Sequence, residues 1–200
     1  MLHSSFTPDL VEAGCDEAGR GCLAGPVVAA VVILPKNYQQ EFLNDSKQLT
    51  KEERFLLRIE IQRDALAWAV AEVSSEEIDE INILNASFLA MHRALDKLTI
   101  KPHLLLIDGN RFNAYQDIPH KCIIKGDGLY LAIAAASVLA KTFRDDLMHH
   151  LSWHHPGYGW ETNVGYATPG HREGIKRQGI TPYHRKSFQL LPSQLELFED

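Results

Sequence analysis

The chain has 200 residues, 45% of them hydrophobic and 23% charged, with a formal net charge of −6. That is enough for one domain with a sizeable core, in the proportions of an ordinary globular protein. No apolar run reaches the roughly 18 residues a membrane span needs, and the start MLHSSFTPDL lacks the basic and apolar regions of a secretory signal, so a cytoplasmic location is expected.

Residues 10–16 and 27–34 are predicted strands joined by the Gly-rich turn GRGCLAGP. Thr50, with Glu53 three residues on, predicts a capped helix that carries Phe55, Leu56, Ile59 and Arg63 at helical spacing. Residues 66–74 alternate as a third strand. Residues 76–98 predict one helix with Ile78, Ile81, Leu84, Phe88, Met91, Leu95 and Leu98 on one face, ended by Pro102. Residues 103–109 are a short apolar run stopped by Asp108-Gly109, the pattern of a strand covered on both faces. A further strand starts at His120, and 129–151 predict a long helix. From 152 onward a Pro-, Gly- and aromatic-rich segment is irregular, followed by a short helix and a tail. Strands first, then strand and helix in alternation, indicate a layered α/β domain.

Taken alone, net acidity argues weakly against a nucleic-acid partner, since such proteins usually carry a basic footprint. The charge is uneven, however: residues 171–187 hold Arg172, Lys176, Arg177, Arg185 and Lys186 against the single acid Glu173. Cys15, Cys22 and Cys122 form no C-x-x-C pair and read as reduced thiols, with a Cys15–Cys22 disulfide the lesser alternative.

Adjacent acids inside an apolar strand are costly without a partner, which singles out Asp16 and Glu17. Asp16 ends the first strand and Asp108 ends a later one, and in layered sheets ligands collect outside the carboxyl ends of strands. If those strands are neighbours, the two acids converge. Asp127 could reach the same mouth, or simply cap the long helix. Glu17 points to the opposite face unless the strand twists or ends there, which Gly19 and Gly21 allow. Clustered carboxylates repel unless a cation is present, and oxygen ligands suit magnesium or manganese over zinc. Two such ions serve phosphoryl transfer.

Arg20, between two glycines, can approach a ligand closely. Ser137, Lys141 and Arg144 fall at i, i+4 and i+7 of the long helix, a candidate phosphate rail whose alternative is a solvated face. Ser46 and Lys47 offer a second hydroxyl and cation in a loop. Tyr158, Tyr166 and Tyr183 lie near the basic region and suit stacking on sugar or base, while Trp160 reads as core. Among ten histidines, His171 and His184 are the better site candidates because they sit among those cations.

In this order, the segments DEAGRG, DSKQLT, LLIDGN, KGDGLYLAIAAASVLAKTFRD, GYATPGHREGI and HRKSF closely resemble bacterial ribonuclease HII, across nearly the whole chain. Cys22 departs from the family pattern, which usually has proline there. The resemblance implies a ribonuclease-H-like mixed five-stranded sheet flanked by helices. Residues 1–150 would be the catalytic core, 151–191 a helical and irregular C-terminal extension contacting substrate, and 192–200 a tail. It implies an endonuclease dependent on Mg2+ or Mn2+, and nothing in the sequence demands more than a monomer. Its substrates would be the RNA strand of RNA–DNA hybrids and duplex DNA with single embedded ribonucleotides, cut on the ribonucleotide's 5′ side. The family's metal-binding acids fall on Asp16, Glu17, Asp108 and Asp127, and its 2′-hydroxyl-reading element on Gly19, Arg20 and Gly21. Its junction-sensing tyrosine resembles Tyr166, and its phosphate contacts fall on Ser46, Lys47, Ser137, Lys141 and Arg144.

In the tail, Gln194, Leu195, Leu197 and Phe198 resemble the short peptide that docks bacterial repair proteins on the DNA sliding clamp. A DNA-directed nuclease of the same layered fold is the nearest rival, since a carboxylate cluster alone does not define the substrate. A non-catalytic nucleic-acid-binding module would have no need of the four acids.

Overall fold

The computed structural model describes residues 2–40, 42–43 and 49–191; Ser46, Lys47, Gln194, Leu195, Leu197 and Phe198 lie outside the described residues. Five strands, β1 (Glu12–Ala18), β2 (Val27–Ile33), β3 (Ala67–Val73), β4 (Leu104–Asp108) and β5 (His120–Ile123), form one sheet in the order β3-β2-β1-β4-β5. The first three are joined antiparallel; β4 runs parallel to β1, and β5 parallel to β4. Every residue of β2 is buried, which explains its unbroken Val, Ala and Ile run: both faces are covered.

Six helices follow in chain order: α1 (Lys51–Asp64), α2 (Ser75–Ile81), α3 (Ile83–Asp96), α4 (Leu131–His154), α5 (Trp160–Asn163) and α6 (Pro169–Gln178). Ala86, Ala90, Met91 and Leu95 of α3 pack on Ala13, Cys15, Val27 and Ile107 at one face of the sheet. Ala134, Ala135, Val138 and Leu139 of α4, with Leu57 and Ile61 of α1, cover Ala30 and Val32 on the other. Backbone meets backbone at Gly14, where a Cβ would stand 2.1 Å from the carbonyl carbon of Ala132. Only the absence of a side chain lets the α4 backbone rest on β1.

Several expectations are corrected. The predicted helix 76–98 is two helices, because Asn82 takes a left-handed φ of 65° and its side chain accepts the N–H groups of Leu84 and Asn85, capping α3. α3 then stops at Asp96, well short of Pro102. The capping box of Thr50 and Glu53 is present, but Phe55, Leu56 and Ile59 are exposed while Leu57 and Ile61 face inward. α4 begins at Leu131 and runs past the predicted end at 151 to His154. Beyond it, Tyr158, Trp160, Val164 and Ile175 build a second small core with Leu23, Ala24, Met148 and Leu151. Tyr158 is therefore buried, stacked on Trp160 with centroids 5.0 Å apart, and not available to a ligand. All three cysteines are free. Among the described residues no helix is long and apolar enough to cross a membrane.

Candidate active site

The parallel pairing of β1 with β4 places Cys15 opposite Ile107. The next residue on each strand is an acid, so Asp16 and Asp108 stand side by side at the carboxyl edge of the sheet. β1 continues to Ala18, and Gly19, with φ of +96°, then turns the chain. The expected ending of the strand at Glu17 does not occur, since Glu17 still pairs with Ala29, yet Glu17 lines the same cleft as Asp16 and Asp108. The cleft, of about 260 Å³, is lined by Asp16, Glu17 and Asp108, the Gly19–Gly21 turn, Arg54 of α1, Ser137 and Lys141 of α4, and Tyr166.

Burial pushes the Asp16 carboxyl well above its ordinary range, and the charges of Glu17 and Asp108 add to the effect. The Ser137 hydroxyl and the Glu17 N–H, which donates to Asp16 Oδ1 at 2.7 Å, pull it back. Glu17 pairs with Arg20 at 3.0 Å. Asp108 Oδ1 accepts the Gly126 N–H at 2.7 Å, which ties β4 to a single 3-10 turn, Gly126–Gly128. Asp127 lies in that turn, buried and outside the residues lining the open cleft. It does not cap α4, whose N-cap is Tyr130. Among the described residues no three acidic, histidine or cysteine side chains are gathered as a ready ligand shell. The donors at the cleft edge are carboxylate oxygens from neighbouring strands, a set that fits a hard divalent cation once the side chains turn toward it.

α4 contributes less than the expected rail. Ser137 is buried against Asp16, and Lys141 Nζ pairs with Asp145 at 2.6 Å while lining the cleft. Arg144 is a correction: it is 1% exposed, and its guanidinium donates to the carbonyls of Pro26 (3.0 Å), Val164 (2.8 Å) and Ala24 (3.0 Å). The face predicted to meet phosphate is covered there by the extension, which the helical spacing could not reveal. Tyr166, 45% exposed, lines the cleft.

His171 and His184 are a second correction. Both are buried in the extension, 3.1 Å apart through their Nε2 atoms, and Trp160 Nε1 donates to His171 Nε2 at 2.9 Å. Two further cations escaped the sequence reading. Arg54 lines the cleft one turn into α1, and its position just after the capping box was the available signal. Arg185 is wholly buried beneath the Gly19–Gly21 turn, and no local pattern marks it off from its basic neighbours.

A family model described as Ribonuclease HII matches residues 13–191. Ribonuclease HII of Bacteroides thetaiotaomicron is 64% identical over 191 residues, covering 96% of each chain. The solved ribonuclease H2 of Pyrococcus horikoshii superposes with a TM-score of 0.75 at 27% identity, covering 90% of this chain and 94% of that one. A chain of the Archaeoglobus fulgidus PCNA:RNase HII complex gives 0.74 at 26% identity, covering 94% and 100%. Likeness of this extent, on a sheet whose adjacent strand ends carry the acids, has one meaning: the chain belongs to the ribonuclease HII family and is a ribonuclease H hydrolase.

Proposed function

We propose that the protein is an endonuclease that hydrolyses the RNA strand of RNA–DNA hybrids and incises duplex DNA on the 5′ side of single embedded ribonucleotides. The products would be a 5′-phosphate and a 3′-hydroxyl. The observation that carries this reading is the sharing of one cleft by three carboxylates, the Gly19–Gly21 turn and the exposed ring of Tyr166. A metal-binding edge beside a backbone turn brings a phosphate and its own sugar to adjacent groups. The 2′-hydroxyl is the group by which RNA differs from DNA at that sugar.

In this reading Asp16, Glu17, Asp108 and Asp127 hold Mg2+ or Mn2+. Such an ion, once held there, would supply Lewis acidity toward the phosphate. The protein's own groups do the rest. Ser137 steadies the Asp16 carboxyl, and Arg20 steadies Glu17. Lys141 offers a partly exposed ammonium to the substrate backbone, and Ser46 and Lys47 are assigned the same task. The Gly19–Gly21 peptides read the 2′-hydroxyl, and Tyr166 stacks at the neighbouring sugar. Arg144, given its carbonyl partners, is assigned to holding the site together.

The test is incision of a duplex bearing one ribonucleotide, beside its all-DNA counterpart, in Mg2+ or Mn2+. A single cut 5′ of the ribonucleotide, lost on chelation and absent from the DNA duplex, is expected. Equal cutting of both would favour the DNA-directed rival. A clamp partner for Gln194, Leu195, Leu197 and Phe198 belongs to the same reading, and is supported by the relative solved as a complex with PCNA.

A further inference from the structure

Besides Tyr166, the C-terminal extension meets the loop that follows β1 near its end. Residues 183–185 lie beside residues 23–25: Gly25 N–H donates to the Tyr183 carbonyl at 2.9 Å and Arg185 N–H to the Leu23 carbonyl at 2.9 Å. Ala24 and His184 form an antiparallel bridge between them. From this short ladder the Arg185 side chain reaches under the Gly-rich turn. It is 0% exposed, and each of its guanidinium nitrogens donates to a backbone carbonyl. Nη2 donates to Gly19 (2.7 Å) and Gly25 (2.9 Å), Nη1 to Arg20 (2.8 Å), and Nε to Gly25 (3.1 Å).

We propose that Arg185 is the positioning residue for ribose recognition, aiming the peptide N–H groups of Arg20 and Gly21 by holding the carbonyls of Gly19 and Arg20 from behind. The proposal rests on the reading of that turn as the 2′-hydroxyl sensor. Its physical basis is the planarity of the trans peptide: the C=O of one residue and the N–H of the next point in opposite directions. Fixing Gly19 O toward the buried guanidinium turns the Arg20 N–H away from it, and fixing Arg20 O does the same for the Gly21 N–H. Both residues line the cleft. Gly19, at φ of +96°, leaves the turn free to swing unless something anchors it. A planar fork with fixed donor directions is suited to that task in a way a lysine ammonium is not. Burying a guanidinium is costly unless its donors are satisfied. The carbonyl geometry and the cation therefore enforce each other. Burial lowers Arg185 only to about 10, so the cation persists at neutral pH.

The test uses the full chain with Arg185→Lys and Arg185→Gln, the second avoiding a buried unpaired charge. Asp79→Ala serves as a matched control, because Asp79 holds the N–H groups of Lys186 and Ser187 without touching the turn. Affinities for a duplex with one ribonucleotide and for its all-DNA counterpart are measured in Ca2+, with thermal midpoints recorded alongside. The expected result is that either Arg185 variant loses about tenfold of the wild-type ratio between the two duplexes, the scale of one hydrogen bond to the ribose. Binding to all-DNA duplex should hold steady, and Asp79→Ala should lower the midpoint while keeping the ratio. An unchanged ratio in a folded Arg185 variant, or failure of both variants to fold, overturns positioning in favour of a purely structural role. A wild-type chain with no preference for the ribonucleotide would instead sink the proposed function.

Discussion

At Gly14 the sheet and the long helix meet backbone to backbone, and the position of the cleft depends on that contact. A Cβ there would lie 2.1 Å from Ala132 C and 2.3 Å from Ala132 O, where only main-chain movement can make room. Gly14→Ala should therefore destabilise the fold by about 3 kcal/mol, the upper end of ordinary overpacking, as read from urea denaturation. A variant as stable as wild type would show that α4 shifts freely on β1. Gly14 is one residue from Cys15 and two from Asp16, yet in the sequence it resembles any small residue in a strand. Asp16 and Glu17 were legible because paired acids in an apolar run need a reason. Arg144 and Arg185 were not, because local spacing identifies a helix face or a basic run but not what folds over it. Both cations proved to be internal, with seven donor contacts to carbonyls between them.

Among elements, the sheet was the most readable part. Its strands carry apolar runs bounded by Gly, Pro and polar turns, and the buried β2 needs no alternation. The helices were harder. Apolar residues continue through Asn82, so periodicity alone joined α2 to α3, whereas the left-handed backbone and side-chain cap at that residue separate them. In α1, apolar residues occupy more than one face, and packing against α4 chose Leu57 and Ile61.

The histidine pair of the extension has a determinate proton arrangement. The Thr181 N–H donates to His184 Nδ1 at 2.9 Å and the Trp160 N–H to His171 Nε2, so those two nitrogens accept. His171 Nδ1 donates to the Tyr166 carbonyl at 2.8 Å, and His184 Nε2 shares the one lone pair of His171 Nε2 with the Trp160 N–H. Burial, then the neighbouring His171, lowers His184 to about 4 from an ordinary 6.5. The unfolded chain thus takes up the proton first as pH falls. This contribution to stability is complete above 6.5, declines between 6.5 and 4, and is gone below. An NMR titration of the His184 ring should show a midpoint near 4, with the turn that carries Tyr166 loosening over the same range. A ring titrating near 6.5 would contradict the arrangement.

For the whole molecule, the extension completes the cleft. It supplies Tyr166 at the rim, and its Val164 carbonyl and Arg185 side chain help hold the loop that follows β1. Asp79 of α2 clasps the same extension from the other side by accepting the N–H groups of Lys186 and Ser187. A net charge of −6 is compatible with a nucleic-acid substrate because Arg20, Arg54 and Lys141 stand at the cleft itself. The acids they face are the core of the account, and one variant isolates them. Asp108→Asn keeps the size of the side chain and an oxygen for the Gly126 N–H but removes a charge at the junction of β1 and β4. Measured on a duplex with one ribonucleotide in Mg2+, this variant should bind the substrate at least as tightly as wild type and fail to cut it. Cutting at the wild-type rate would contradict the assignment of these carboxylates to the reaction.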